Sequence, residues 1–135
     1  MAAKAAEGHP YLIQLVGYYL WRAAEMRGSN EISEDDVVRG HSDAMIAFYE
    51  AVCSPLYYGL RSPQRLFVEA MAKDDPRPSE MSVIAKRAKR TASWASKYRA
   101  SLIREQVIEP AGHGLVRFAV PHLGEYIREG ILWHD

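Results

Sequence analysis

At 135 residues, with 48% apolar and 25% charged side chains, the chain is long enough for one domain or two small packed ones and has the balance of an ordinary globular protein. Seventeen Lys and Arg against seventeen Asp and Glu leave no net charge, and a single cysteine excludes an internal disulfide and a local cysteine-based zinc site. No apolar run approaches the length of a membrane span, and Met1 to Pro10 lacks the charged-then-apolar order of a signal peptide, so no membrane partner and a cytoplasmic location are expected.

Met1 to Gly8 is a lead-in of small residues without periodicity. Pro10 starts a helix on which Leu12, Leu15, Val16, Tyr19, Ala23 and Met26 recur at helical spacing, with Gly28, Ser29 and Asn30 as the stop. Tyr18, Tyr19 and Trp21 make it aromatic on more than one side, which predicts neighbours covering both and a contact with the later helices. Ser33 with Asp36 resembles a capping box, and Glu34, Asp35 and Asp36 suit the positive end of a second long helix. Val37, His41, Ala44, Met45, Phe48 and Val52 mark its buried face. It is expected to end near Cys53, because Pro55 disfavours helix in the residue before it. Ser54 to Leu60 then reads as a loop, and Cys53 as a small buried side chain without chemistry.

Ser62 and Pro63 read as the cap and first residue of a third helix, with Leu66, Phe67, Ala70 and Met71 inward and Lys73 near its end. Ser79 reads as the cap of a fourth, carrying Met81, Ile84, Ala85 and Ala88 on one face. A fifth is predicted from about Ala92 to Gln106. Trp94, Ala95, Tyr98 and Leu102 project to its core side, and Ser93, Ser96, Lys97, Ala100, Ser101 and Arg104 to the opposite side. Val107 to Glu109 and the alternating Leu115 to Val120, joined by a loop from Pro110 to Gly114, form a hairpin that Pro121 ends. Two short helices and a directly following hairpin give a helix-turn-helix with a wing. Leu123, Tyr126 and Ile127 read as a short closing helix begun by Pro121, and Ile131, Leu132 and Trp133 as an apolar tail.

The zero net charge conceals an asymmetry. Residues 1–60 hold four Lys and Arg against eight Asp and Glu, whereas residues 73–104 hold nine against three, so an anionic partner is plausible for one end only. Five scattered histidines make no metal-ligand spacing, neighbouring His41, Ser42 and Asp43 point about 100° apart on a helix and make no relay, and Glu125 and Glu129 read as a solvated face. No G-x-x-x-x-G-K-[ST] phosphate loop occurs, so no enzymatic activity is expected of this chain.

The runs GHPYLIQLVGYYLW from Gly8, SPQRLFVEAMA from Ser62 and SWASKYRASLIREQVIEPAGHGLVRFAVPHLGEYI from Ser93, in that order, resemble the C-terminal part of AAA-type P-loop ATPases. In layout they are similar to origin-recognition-type and STAND ATPases, whose nucleotide domain is followed by a helical lid and a winged helix. The resemblance implies a mainly α fold with a small β-hairpin, with residues 1–60 a helical lid-like segment and residues 61–135 a winged helix-turn-helix domain. It implies ATP and Mg²⁺ for the parent protein only, with no cofactor in this chain. Many relatives carry a nucleotide-sensing arginine where this chain has His9, Pro10 and Tyr11.

Two functions follow as alternatives. In the first, the winged helix binds double-stranded DNA, with Lys97 and Arg104 reaching bases or phosphates, Ser93, Ser96 and Ser101 bonding the backbone, and Lys86, Arg87, Lys89 and Arg90 adding phosphate contacts. In the second, it contacts the parent ATPase domain or a partner protein. The wing loop, Ala111 to Gly114, lacks Lys and Arg and weighs against the first.

Overall fold

In the computed structural model the described residues are 10–26, 28 and 33–134, with side chains described for 13–26, 28 and 33–130. They form seven α-helices, one π-helical turn and a three-stranded sheet, a mainly α fold with a small β element. The chain divides into two compact units, Met1–Pro55 and Leu56–Asp135. The expectations for Met1 to Gly8, for Ser29 and Asn30 in the helix stop, and for the side chains of Ile131, Leu132 and Trp133 fall outside the described residues.

The first unit is built on α1 (Pro10–Met26) and α2 (Glu34–Phe48). Val16, Ala23 and Ala24 of α1 and Ala44, Met45 and Phe48 of α2 are buried, as the apolar spacing requires. The two helices meet so closely that a Cβ on Gly40 would lie 2.8 Å from the backbone of Leu20. The capping box at the start of α2 is formed: Ser33 N–H donates to Asp36 at 2.8 Å, and Asp36 N–H to Ser33 Oγ at 3.2 Å.

Two expectations fail in this unit. Tyr18 is 58% exposed and Trp21 49%, because α1 buries one stripe against α2 and these two side chains lie off that stripe; Met26, on the last position of α1, is exposed as well. The chain also does not leave the helix near Cys53. A π turn, Tyr49–Cys53, follows α2 directly, and Ser54 N–H bonds to Tyr49 five residues back. A short α3 (Ser54–Gly59) then occupies what reads in sequence as a loop. Proline brings no N–H and in a helix interior crowds the carbonyl four residues back, and here Pro55 directly follows the capping residue of the wider π turn, where the hydrogen-bond ladder has already shifted to five-residue spacing.

The second unit is organised on α4 (Ser62–Ala72), which packs against α5 (Met81–Ala88), α6 (Ala92–Arg104) and α7 (Leu123–His134). Phe67, Val68 and Met71 of α4, Ile84 of α5, Leu102 of α6 and Leu123 and Ile127 of α7 supply its buried core. Between α4 and α5 lies the two-residue strand β1 (Ser79–Glu80), and after α6 come β2 (Ile108–Gly112) and β3 (Leu115–Phe118). The sheet is antiparallel in the order β1-β3-β2, with Ser79 opposite Val116 and Glu109 opposite Arg117.

Several boundaries differ from the sequence reading. The helix-capping position before α4 is Arg61, whose N–H donates to Gln64 Oε1 at 3.0 Å, so Ser62 lies inside the helix. Ser79 caps nothing: it is a buried strand residue whose hydroxyl donates to Asp74 at 2.8 Å, and α5 starts only after the strand has paired. Helix α6 stops at Arg104 because Gln106 takes a left-handed φ of 62°. Pro110 to Gly112 belong to β2 through a bulge between Pro110 and Gly112, which shortens the hairpin turn to His113 and Gly114. The closing helix starts at Leu123, after a left-handed His122, and is longer than predicted.

Candidate nucleic-acid interface

The candidate surface begins in the last turn of α5. Ile84, Ala85 and Ala88 point inward and Lys86 outward. Lys89 takes a left-handed conformation (φ 56°, ψ 47°), and its N–H together with that of Arg90 satisfies the end of α5 through Ala85 and Lys86 carbonyls. Thr91 restarts the helix by accepting a 3.1 Å hydrogen bond from Trp94 N–H. The turn is therefore three residues, Lys89, Arg90 and Thr91, with two cations projecting from it.

Helix α6 is fixed by its inner face. Trp94 stacks 6.1 Å from Phe67 and 5.3 Å from Tyr98, and Ala95 and Leu102 are buried. A buried polar cluster pins its C-terminal turn: Gln64 Nε2 donates to Ser101 Oγ at 2.7 Å and to Glu105, and Ser101 Oγ donates to Glu105 at 3.1 Å. Opposite this face Ser93, Ser96, Lys97, Ala100 and Arg104 are exposed, with Lys97 Nζ held 5.4 Å over the Tyr98 ring.

Of the predicted contact residues, Lys86, Lys89, Arg90, Ser93, Ser96, Lys97 and Arg104 are thus exposed along α5, the turn and the outer face of α6. Arg87 and Ser101 are not available in that way. Arg87 forms a bidentate pair with Asp74, at 2.7 and 3.0 Å, and donates to the Ala70 carbonyl at the end of α4 at 2.9 Å. These hydrogen bonds, and a further one from Ser79, hold the Asp74 carboxyl below its ordinary range, and Asp74 raises Arg87 in return. Ser101 is buried in the cluster with Gln64. Its position was readable, since it lies seven residues after Trp94 and hence on the same stripe of the helix. No sequence signal pairs Arg87 with Asp74 across the break after α4.

The hairpin adds little charge. Arg117 pairs with Glu109 across the strands at 2.7 Å, both side chains being about half exposed. The tip does not project: Met81 N–H donates to the Gly114 carbonyl at 2.9 Å, which ties the turn to the start of α5. Sequence reasoning also missed Arg128, which donates to the Ala72 and Asp75 carbonyls at 2.6 and 3.0 Å and is a structural residue of the α4 end.

Among the described residues, no group of three or more His, Cys, Asp or Glu side chains is placed to hold a metal, and no helix is long and apolar enough to cross a membrane. The expectation about His9, Pro10 and Tyr11 concerns side chains outside the described set. No curated protein and no solved structure matches the chain. A family model does match, over residues 50–127, a span that runs from the π turn through helices α3 to α6 and the hairpin into α7. The chain belongs to that family, described as Domain of unknown function (DUF8462).

Proposed function

We propose that residues 61–135 act as a winged helix-turn-helix that binds double-stranded DNA mainly through phosphate contacts and has no catalytic activity of its own. The observation that carries this reading is the outer face of α6. It pairs small side chains, Ser93, Ser96 and Ala100, with two cations, Lys97 and Arg104, and follows directly on Lys86, Lys89 and Arg90. Small side chains let a helix sink into a groove, and the major groove, about 12 Å wide, admits a helix. Lys97 and Arg104 lie one above the other, about 10.5 Å apart along the axis, a spacing suited to phosphates rather than to one base. The face offers no Asn or Gln to adenine, so affinity is electrostatic and tolerant of sequence.

In the wider reading, taken from the resemblance, the chain is the C-terminal module of a cytoplasmic AAA-type ATPase whose ATP and Mg²⁺ are held by another part of the parent protein. A second function fits one observation better. The tied-back hairpin with its neutral Glu109–Arg117 pair gives a winged helix a weak grip on DNA, and favours a contact with the parent ATPase domain or a partner protein. Fluorescence anisotropy of a labelled duplex, titrated with the full chain at about 50 and about 200 mM salt, separates the two. The DNA reading expects saturable binding that weakens steeply at the higher salt. The protein-contact reading expects no binding at either.

A further inference from the structure

The hairpin owes its small charge to two side chains that face each other. Between Val107 and Val120 the only Asp, Glu, Lys or Arg residues are Glu109 and Arg117. They lie directly opposite on β2 and β3, with 45% and 57% of their side chains exposed. Strand β3 is the central one, paired with β1 on one side and β2 on the other, and Val116 beside Arg117 is fully buried, so the pair stands on a firmly held part of the sheet. The bond between the two uses one edge of the guanidinium only. Arg117 Nε donates to Glu109 Oε1 at 2.7 Å, and the two terminal amino groups donate to nothing among the described residues.

We infer that Arg117 is the hairpin's phosphate contact and that Glu109 sets its strength, so that one acidic side chain limits how tightly the chain holds a duplex. The inference rests on the DNA reading above. An arginine has five N–H donors, and its terminal amino groups make the fork that a phosphate accepts in bidentate fashion. With Nε tied to Glu109 that fork is held in place, and a phosphate can take it without breaking the existing bond. The same carboxylate puts a negative charge at hydrogen-bond distance from the guanidinium, so an incoming phosphate meets a neutral pair and not a cation. Exposure decides the size of the effect: both side chains are half in water, where an ion pair changes an equilibrium by a factor of about five or less, so Glu109 weakens the contact without abolishing it. Glu80, opposite Leu115 on β1, is the other acid on the sheet and has no bond to Arg117.

The test is duplex binding of the full chain by fluorescence anisotropy across a salt series, for wild type, Arg117→Ala, Glu109→Gln and the double variant. Arg117→Ala is expected to lower the logarithmic salt slope by about 0.9 and to leave helical circular dichroism unchanged. Glu109→Gln keeps an oxygen that accepts from Nε and drops the charge, so affinity is expected to rise about two- to fivefold. In the Arg117→Ala background the same change is expected to bring no gain, because Glu109 acts through Arg117. Glu80→Gln removes an equal charge from the same sheet and is expected to bring no gain either. A wild-type chain that does not bind at about 50 mM salt overturns the DNA reading and this inference together. Wild-type binding whose slope is unchanged in Arg117→Ala overturns this inference alone. So does an affinity that Glu109→Gln leaves unchanged, or a gain that persists without Arg117 or is matched by Glu80→Gln.

Discussion

Replacing Arg87 with alanine tests whether its guanidinium belongs to the fold or to a ligand. The substitution removes hydrogen bonds to Asp74 at 2.7 and 3.0 Å and to the Ala70 carbonyl at 2.9 Å. Hydrogen bonds to charged groups contribute about 1.5–3 kcal/mol and exposed ion pairs about 0–1 kcal/mol. The Arg87 and Asp74 side chains are 29% and 17% exposed, between those cases. A loss of about 2 kcal/mol is expected, which for a unit of this size lowers the melting temperature by roughly 8–16 °C. The sign with pH is set by Asp74. Its folded carboxyl is held low, first by Arg87 and then by Ser79, so the stabilisation is present above an unfolded aspartate's pKa of about 4 and is lost as the pH falls through the folded value. The gap between wild type and Arg87→Ala, followed by circular dichroism melting, should therefore narrow in acid. An unchanged melting temperature at pH 7, with a DNA salt dependence flattened by about 0.9, would instead return Arg87 to the phosphate-contacting set and refute the reasoning.

Gly40→Ala should destabilise the first unit by about 1–3 kcal/mol, read as a lower urea midpoint, because its Cβ would lie 2.8 Å from the Leu20 backbone, which cannot swing aside. Gln64→Leu removes an amide that serves Ser101, Glu105 and the Arg61 N–H at once, and should cost about 1–3 kcal/mol. In a double-mutant cycle with Ser101→Ala the two losses should not add. Tyr57 is pushed up to about 12 by burial and then by Glu69, to which its hydroxyl donates at 3.1 Å. That stabilisation is complete below the unfolded tyrosine's pKa of about 10 and is lost as the pH rises through the folded value, so Tyr57→Phe should remove a late step near pH 12 from the ultraviolet titration.

Much of the second unit was legible because its signals are local. The stripe of Met81, Ile84, Ala85 and Ala88, the core side Trp94, Ala95, Tyr98 and Leu102, and the alternation after Gly114 each report a neighbour within a few residues. What was missed depends on partners far along the chain. Ser79 reads as a cap by its flanking prolines, yet pairing with Val116 makes it a strand residue. Arg87 reads as one of a basic run until Asp74 claims it, and Gln64 gains its role only when α6 brings up Ser101 and Glu105. In the first unit the aromatic richness of α1 was visible, but not which of its sides would lack a cover. The continuation of helix past Cys53 was hidden because Pro55 normally marks an end, and a π turn is a local rearrangement that composition does not announce.

The DNA reading stands or falls on Lys97 and Arg104, the two exposed cations of the outer α6 face. The direct measurement is the logarithmic salt dependence of duplex binding for the wild-type chain and for Lys97→Ala/Arg104→Ala, by fluorescence anisotropy with folding checked by circular dichroism. Each phosphate contact contributes about 0.9 to the slope, so the double variant is expected to bind more weakly with a slope lower by roughly two units and an unchanged melting temperature. Equal affinities and slopes for the two chains, or no binding of the wild-type chain at about 50 mM salt up to high protein concentration, would contradict the account and transfer the surface of α6 to a protein partner.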